Sequence, residues 1–198
     1  MTETTAPAAA APLVADLQEM ERQFEALKRE ARELLEGIDD AQFNWRPEPG
    51  RWSMAECIAH LNVTGQSFLP ALDRRIREAH AEGRRGAPPF RYTLFGKLVV
   101  RSMEPPARFK FKAPKLFVPQ PEHPRAAAES AFMTLQDQLI ARLRAADGLD
   151  LGRVKVVSPA SRLLKISLGQ VFQLTAAHER RHLYQARQLK SHTAFPRS

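Results

Sequence analysis

Two histidines four residues apart, His178 and His182, stand in the segment LTAAHERRHLYQ near the end of the chain. On a helix that spacing puts both side chains on one face, a turn apart. Their stripe, Val171, Leu174, Thr175, His178, His182, Gln185 and Leu189, is largely apolar, so both rings are expected to point inward. Two adjacent buried imidazoles are expensive if left unpaired. A shared divalent cation removes that cost, because neutral imidazoles are its ligands. A pair of hydrogen-bonded core histidines is the other reading that an isolated H-x-x-x-H leaves open.

The same segment matches H-E-x-x-H, the zinc-protease pattern in which the Glu is the general base. A catalytic zinc site needs a third protein ligand. Only sixteen residues follow His182, and none is acidic. The extended form H-E-x-x-H-x-x-G-x-x-H would need Gly and His where Gln185 and Gln188 stand. The protease reading fails at that point, and a third ligand must come from upstream. Candidates are His60, His80, His123, Cys57 and Glu56. His80 sits at a helix end beside AEGRRG, His123 lies in a loop before Pro124, and His192 is close to the fraying terminus. His60 differs, because it belongs to the inward stripe Cys57–His60/Leu61–Thr64–Phe68. Packing that stripe on the last helix would bring three imidazoles together and leave positions open for water or substrate.

Three further residues are candidates for contacts around these ligands. Glu56 could accept the ring N–H of His60, although SMAE from Ser53 is also a capping box that uses the same carboxylate. Glu179 lies about 100° round the helix from His178. It is expected in a solvent-facing ion pair with a neighbouring arginine, with a base at the rim of the site as the other reading. Gln185 lies on the histidine stripe itself. Cys57 reads as a small buried hydrophobe. No catalytic acid, base or nucleophile is assigned.

Four helical segments must position these groups. The first runs over about 13–37, with Leu17, Met20, Phe24, Leu27, Ala31 and Leu34 at helical spacing. The second starts at the Ser53 cap and carries His60; Pro70 inside it predicts a kink near 66–70. The third starts at Pro124 and runs to about 146 through Phe132, Leu135 and Leu139, and the fourth covers about 167–190. Between the second and third, residues 83–124 hold eight of the fifteen prolines. Such a density excludes one long regular element, although YTLFGKLVVRSM could form a short helix or strand. RVKVVSPASRLLKIS could hold a short extended piece. The expected fold is all-α, a four-helix bundle with a long Pro-rich crossover between helices 2 and 3. A single domain over 13–192 follows a disordered tail at 1–12.

Composition narrows the function classes. At 198 residues, 43% hydrophobic and 26% charged, the chain is an ordinary globular domain. No apolar run is long enough to span a membrane, and no membrane partner is expected. One cysteine permits no intrachain disulfide and suits a cytoplasmic location. The net charge of +8 is concentrated in 83–124, which has nine Lys or Arg and two acidic residues. A local basic loop is a weak case for nucleic acid, and no helix-turn-helix or finger spacing supports it.

The stretch NWRPEPGRWSMAECIAHL at 44–61, followed much later by AAHERRHLYQ, resembles the DinB-like superfamily of DinB/YfiT-type helical-bundle metalloenzymes. FKFKAPKLFVP is also similar to that family's middle loop, and the resemblance covers about residues 14–192. It implies a divalent metal ion, zinc or nickel, held by His60, His178 and His182. It further implies a small-molecule substrate and, for many members, homodimers. The better understood relatives use low-molecular-weight thiols such as bacillithiol, mycothiol or glutathione, so a thiol-dependent transferase is the leading expectation, with a hydrolase beside it. The alternative is a non-catalytic, metal-stabilised binding or stress-response module.

Overall fold

The apolar stripe of the first segment folds as α1, Ala15–Leu35, and Leu17, Met20, Phe24, Leu27, Ala31, Leu34 and Leu35 are all buried. The computed structural model describes residues 13–106 and 112–197, and these form six helices, a 3-10 turn and one two-stranded sheet. The expected tail at 1–12 and part of the expected middle loop lie outside the described residues. After α1, the short helix α2 (Asp40–Asn44) is closed at its start by a capping box between Asp39 and Gln42.

Helix α3, Met54–Ala81, begins at the predicted Ser53 cap. The Ser53 hydroxyl accepts from the Glu56 N–H at 3.1 Å, and the Glu56 carboxylate accepts from the Ser53 N–H at 2.9 Å. Both orphan donors are thereby answered, an arrangement that stabilises a helix start by about 1 kcal/mol. Pro70 lies inside this helix, which runs on as one element to Ala81. The proline-rich connection to the next long helix contains α4 (Leu94–Met103) and the 3-10 turn Lys115–Phe117. Helix α5, Arg125–Ala145, buries Phe132, Leu135, Leu139 and Leu143 as its spacing predicts. Helix α6, Leu168–Lys190, carries the two closely spaced histidines.

The structure is mostly helical, with one small two-stranded sheet where the sequence allows a short extended piece. Lys155–Ser158 (β1) and Ser161–Ser167 (β2) pair antiparallel, with Val156 opposite Ile166 and an irregularity after Val157. The pairing follows from the β-branched residues on both arms and from Pro159-Ala160, which occupy the turn. The four long helices contact one another in a ring: α1 packs on α5 and α6, and α3 packs on the same two. Within it Phe24 meets Phe172 edge to face at 6.5 Å. Helix α4 lies against α6, and a glycine lies at the contact. A Cβ at Gly96 would meet the amide end of Gln170, so a larger residue there would have to displace a side chain that Ser167 and Thr93 hold by hydrogen bonds. No helix among the described residues is long and apolar enough to cross a membrane.

Candidate metal centre

Helices α3 and α6 run antiparallel across the site. Trp52, at the start of α3, meets His182, while His60, two turns on, meets His178. The inward stripe of α3 thus delivers His60 to the pair on α6, as the sequence expects. The three rings lie face to edge, with centroids 5.0 Å apart for His60–His178 and 4.7 Å for each of the other two pairs. One ligand atom from each can be chosen so that all lie within 4.8 Å of one another.

The tautomer of His60 is determined by its surroundings. Its Nδ1 lies 2.7 Å from the Phe117 carbonyl oxygen. A carbonyl can only accept, so Nδ1 carries the proton and Nε2 presents a lone pair. That Nε2 is 3.2 Å from His178 Nε2. Two nitrogens each 2.0–2.1 Å from a tetrahedral zinc would stand about 3.3 Å apart. Without a cation the same spacing suits an N–H from His178 to His60.

Burial keeps all three rings neutral. It lowers the pKa of His178 to about 3, with the neighbouring His60 and Arg181 adding to the effect. For His182 burial comes first, then His178, His60 and Arg181, and the pKa falls to about 2. His60 is also lowered by burial, against the opposing pull of the Phe117 carbonyl. Neutral imidazoles with free lone pairs are the form that binds a divalent cation. His182 Nδ1 is buried with no complete hydrogen bond among the described residues, although Gln185, a turn on, interacts with the same ring and raises its basicity. An orphaned buried nitrogen beside two further imidazoles fits a metal-binding donor set, and among the described residues this is the one such group. Trp52 closes one side, stacked on His182 at 5.6 Å and tilted over His60 at 4.9 Å.

The other candidates divide. Gln185 lines the site. Glu56 is nearly buried but does not reach His60; its carboxylate accepts from the Ser53 N–H and from Arg46 Nε at 2.8 Å. The Phe117 carbonyl holds the imidazole in its place. Cys57 is fully buried, which raises its thiol pKa strongly, so it behaves as an apolar side chain. His80, His123 and His192 stay outside the cluster, bonded to the Ala145 carbonyl, the Gln120 carbonyl and the Ala194 N–H.

Glu179 overturns its expectation. It is 1% exposed rather than solvent-facing, because it lies on a second buried stripe of α6, through Phe172, Ala176, Leu183 and Ala186. Its Oε1 accepts from Gln136 Nε2 of α5 at 3.0 Å. Burial raises its pKa to about 8, against smaller opposing effects of Gln136 and Arg180. Burial therefore favours the protonated carboxylic acid at neutral pH, and Glu179 Oε2 and Gln136 Oε1 are both buried without a hydrogen-bond partner among the described residues. The arginines of HERRH serve other partners. Arg180 makes a bidentate pair with Glu104, at 2.9 and 2.5 Å, and Arg181 donates to the Ser102 carbonyl at 3.1 Å. Both tie the end of α4 to α6.

The cluster opens onto a cavity of about 1040 Å³ lined by α3, α6, the β-hairpin and the connection around Phe117. Such a volume is at the upper end for small-molecule sites. Trp52, Gln136 and the Phe117 carbonyl are the contributors that sequence reasoning missed. Gln136 carried a signal, a lone amide inside the α5 core stripe, whereas a backbone carbonyl has no residue signature.

Comparison with known proteins bears on the whole chain. No curated protein and no solved structure matches it. The sequence profile of the DinB superfamily does match, over residues 23–186, a span that contains all three histidines of the cluster. The chain belongs to the DinB superfamily.

Proposed function

We propose that this protein is a divalent-metal-dependent enzyme, with zinc or nickel held by His60, His178 and His182, and that it acts as a thiol-dependent transferase. The single observation that carries the proposal is that the three neutral imidazoles lie on the wall of a large cavity rather than inside a sealed core. A structural metal is enclosed by four protein ligands, while a catalytic one keeps an open position. When bound, the ion would supply Lewis-acid chemistry, lowering the pKa of a thiol or a water. The chain's own residues do the remainder. The Phe117 carbonyl holds the His60 ring in one tautomer, and Trp52 shields the imidazoles from water on one side. The cavity is roomy enough for a thiol beside a second substrate, which favours transfer over hydrolysis. We read the ring of four long helices as a four-helix bundle whose Pro-rich crossover carries Phe117 to the site.

The test is a thiol-conjugation assay with the metal-loaded protein, an aryl halide as acceptor and a panel of low-molecular-weight thiols. Thiol-dependent turnover that is lost in His60→Ala supports the reading. Hydrolysis of ester substrates with no thiol dependence would replace it with the hydrolase. The non-catalytic module requires no turnover with either, and loss of thermal stability on metal removal.

A further inference from the structure

The walls of the cavity differ from end to end. Because α3 and α6 are antiparallel, Phe68 of α3 lies toward the start of α6, where Leu174 faces the cavity and the hairpin adds Leu164 and Ile166. From Leu174 the α6 wall passes His178 about 6 Å further on, then Arg181 and His182, and continues through Gln185, Gln188 and Leu189. One end is thus apolar, the imidazoles are central, and the far end is mixed, with Gln185, Gln188 and His192 beside Leu189. Charge is equally one-sided. Arg51, Lys112 and Arg181 line the cavity, and none of its described lining residues is Asp or Glu.

These walls discriminate between ligand classes. A cationic ligand would face three cations with no Asp or Glu among the described lining residues to receive it. A neutral apolar ligand would use the apolar lining and make no use of the basic residues. A small polar anion would leave the Phe68–Leu174 end in contact with water, forgoing the burial of apolar surface that drives binding. We propose that the cavity receives an amphiphilic carboxylate, its acyl or aromatic body between Phe68, Leu164, Ile166 and Leu174 and its carboxylate at Arg181. The guanidinium is held in place by the Ser102 carbonyl, and its planar fork matches a carboxylate. The inference deepens the enzymatic reading above, since it names the substrate class for the site beside the three histidines.

The test uses the full chain as purified, with Trp45→Phe so that Trp52, in the cavity wall, is the one remaining tryptophan. Octanoate should change Trp52 emission saturably, and octanol should bind about tenfold more weakly, the scale of one charge-assisted hydrogen bond. Arg181→Gln should remove that preference while leaving octanol affinity unchanged, and Arg181→Lys should keep most of it. Equal affinities for the two probes, no saturable response to octanoate, or a preference that survives Arg181→Gln would each overturn the proposal. Metal content measured on the same samples separates the two readings. Bound metal without octanoate binding sinks this substrate class alone, and octanoate binding without metal sinks the metalloenzyme alone.

Discussion

Replacing Glu179 by glutamine should stabilise the protein at neutral pH, by an amount that depends on pH in a defined direction. The side chain is buried against Gln136, and its folded-state pKa is raised to about 8 from an ordinary value of 4.5. The folded state therefore binds this proton more tightly than the unfolded chain does. The resulting stability is fully present below pH 4.5 and is lost progressively as pH rises toward 8. Each pH unit in that window is worth about 1.4 kcal/mol, so between pH 4.5 and pH 7 the loss is on the order of 3 kcal/mol. Glutamine has no proton to lose, and its carbonyl oxygen can still accept from Gln136 Nε2. Urea unfolding of both proteins at several pH values, in the same chelator-containing buffer, gives the difference in stability with the other titrations cancelled. Glu179→Gln minus wild type should climb by about 3 kcal/mol from pH 4.5 to 7 and level off above 8. A flat difference would refute the burial argument. A difference that falls with pH would indicate an ion-paired carboxylate, as the sequence alone suggests.

Three further outcomes follow from the site. Because burial holds His178 and His182 neutral down to about pH 3 and 2, metal affinity should change by no more than about tenfold between pH 7.5 and 5.5, the most that one imidazole, His60, could contribute. Three ordinary imidazoles would lose about a thousandfold over that range, and competition titration with a chromophoric chelator distinguishes the two. Trp52→Ala removes the ring stacked on His182 and tilted over His60, and should weaken metal binding about tenfold, in line with other supports of metal ligands. Ser53→Ala breaks the capping box at the start of α3 and should cost about 1 kcal/mol by thermal or urea unfolding.

The long helices were legible because their apolar spacing is regular and their caps are local. Leu17 through Leu35 on α1 and Phe132 through Leu143 on α5 are buried as read, and Ser53 caps α3. The meeting of His60 with His178 and His182 was legible for the same reason, since each lies on an inward stripe. Glu179 was misplaced because α6 is buried along two stripes, toward the cavity and toward α5. A charged letter beside two arginines suggested a solvated face, whereas Phe172, Ala176, Leu183 and Ala186 set the environment. Arg180 takes Glu104 instead, a long-range pair that spacing on one helix cannot reveal. The hairpin was visible only as a short extended piece, because its register depends on a turn and on packing against α3 and α6. The Phe117 carbonyl left no trace in residue types at all.

The central claim is that three imidazoles from two helices share one divalent cation. Metal analysis of protein purified without a histidine tag tests it most directly. The wild-type chain should carry close to one equivalent of zinc or nickel, and His178→Ala should carry far less while remaining folded. Metal-free wild-type protein that takes up none on addition, with His178 donating its ring N–H to His60, would contradict it.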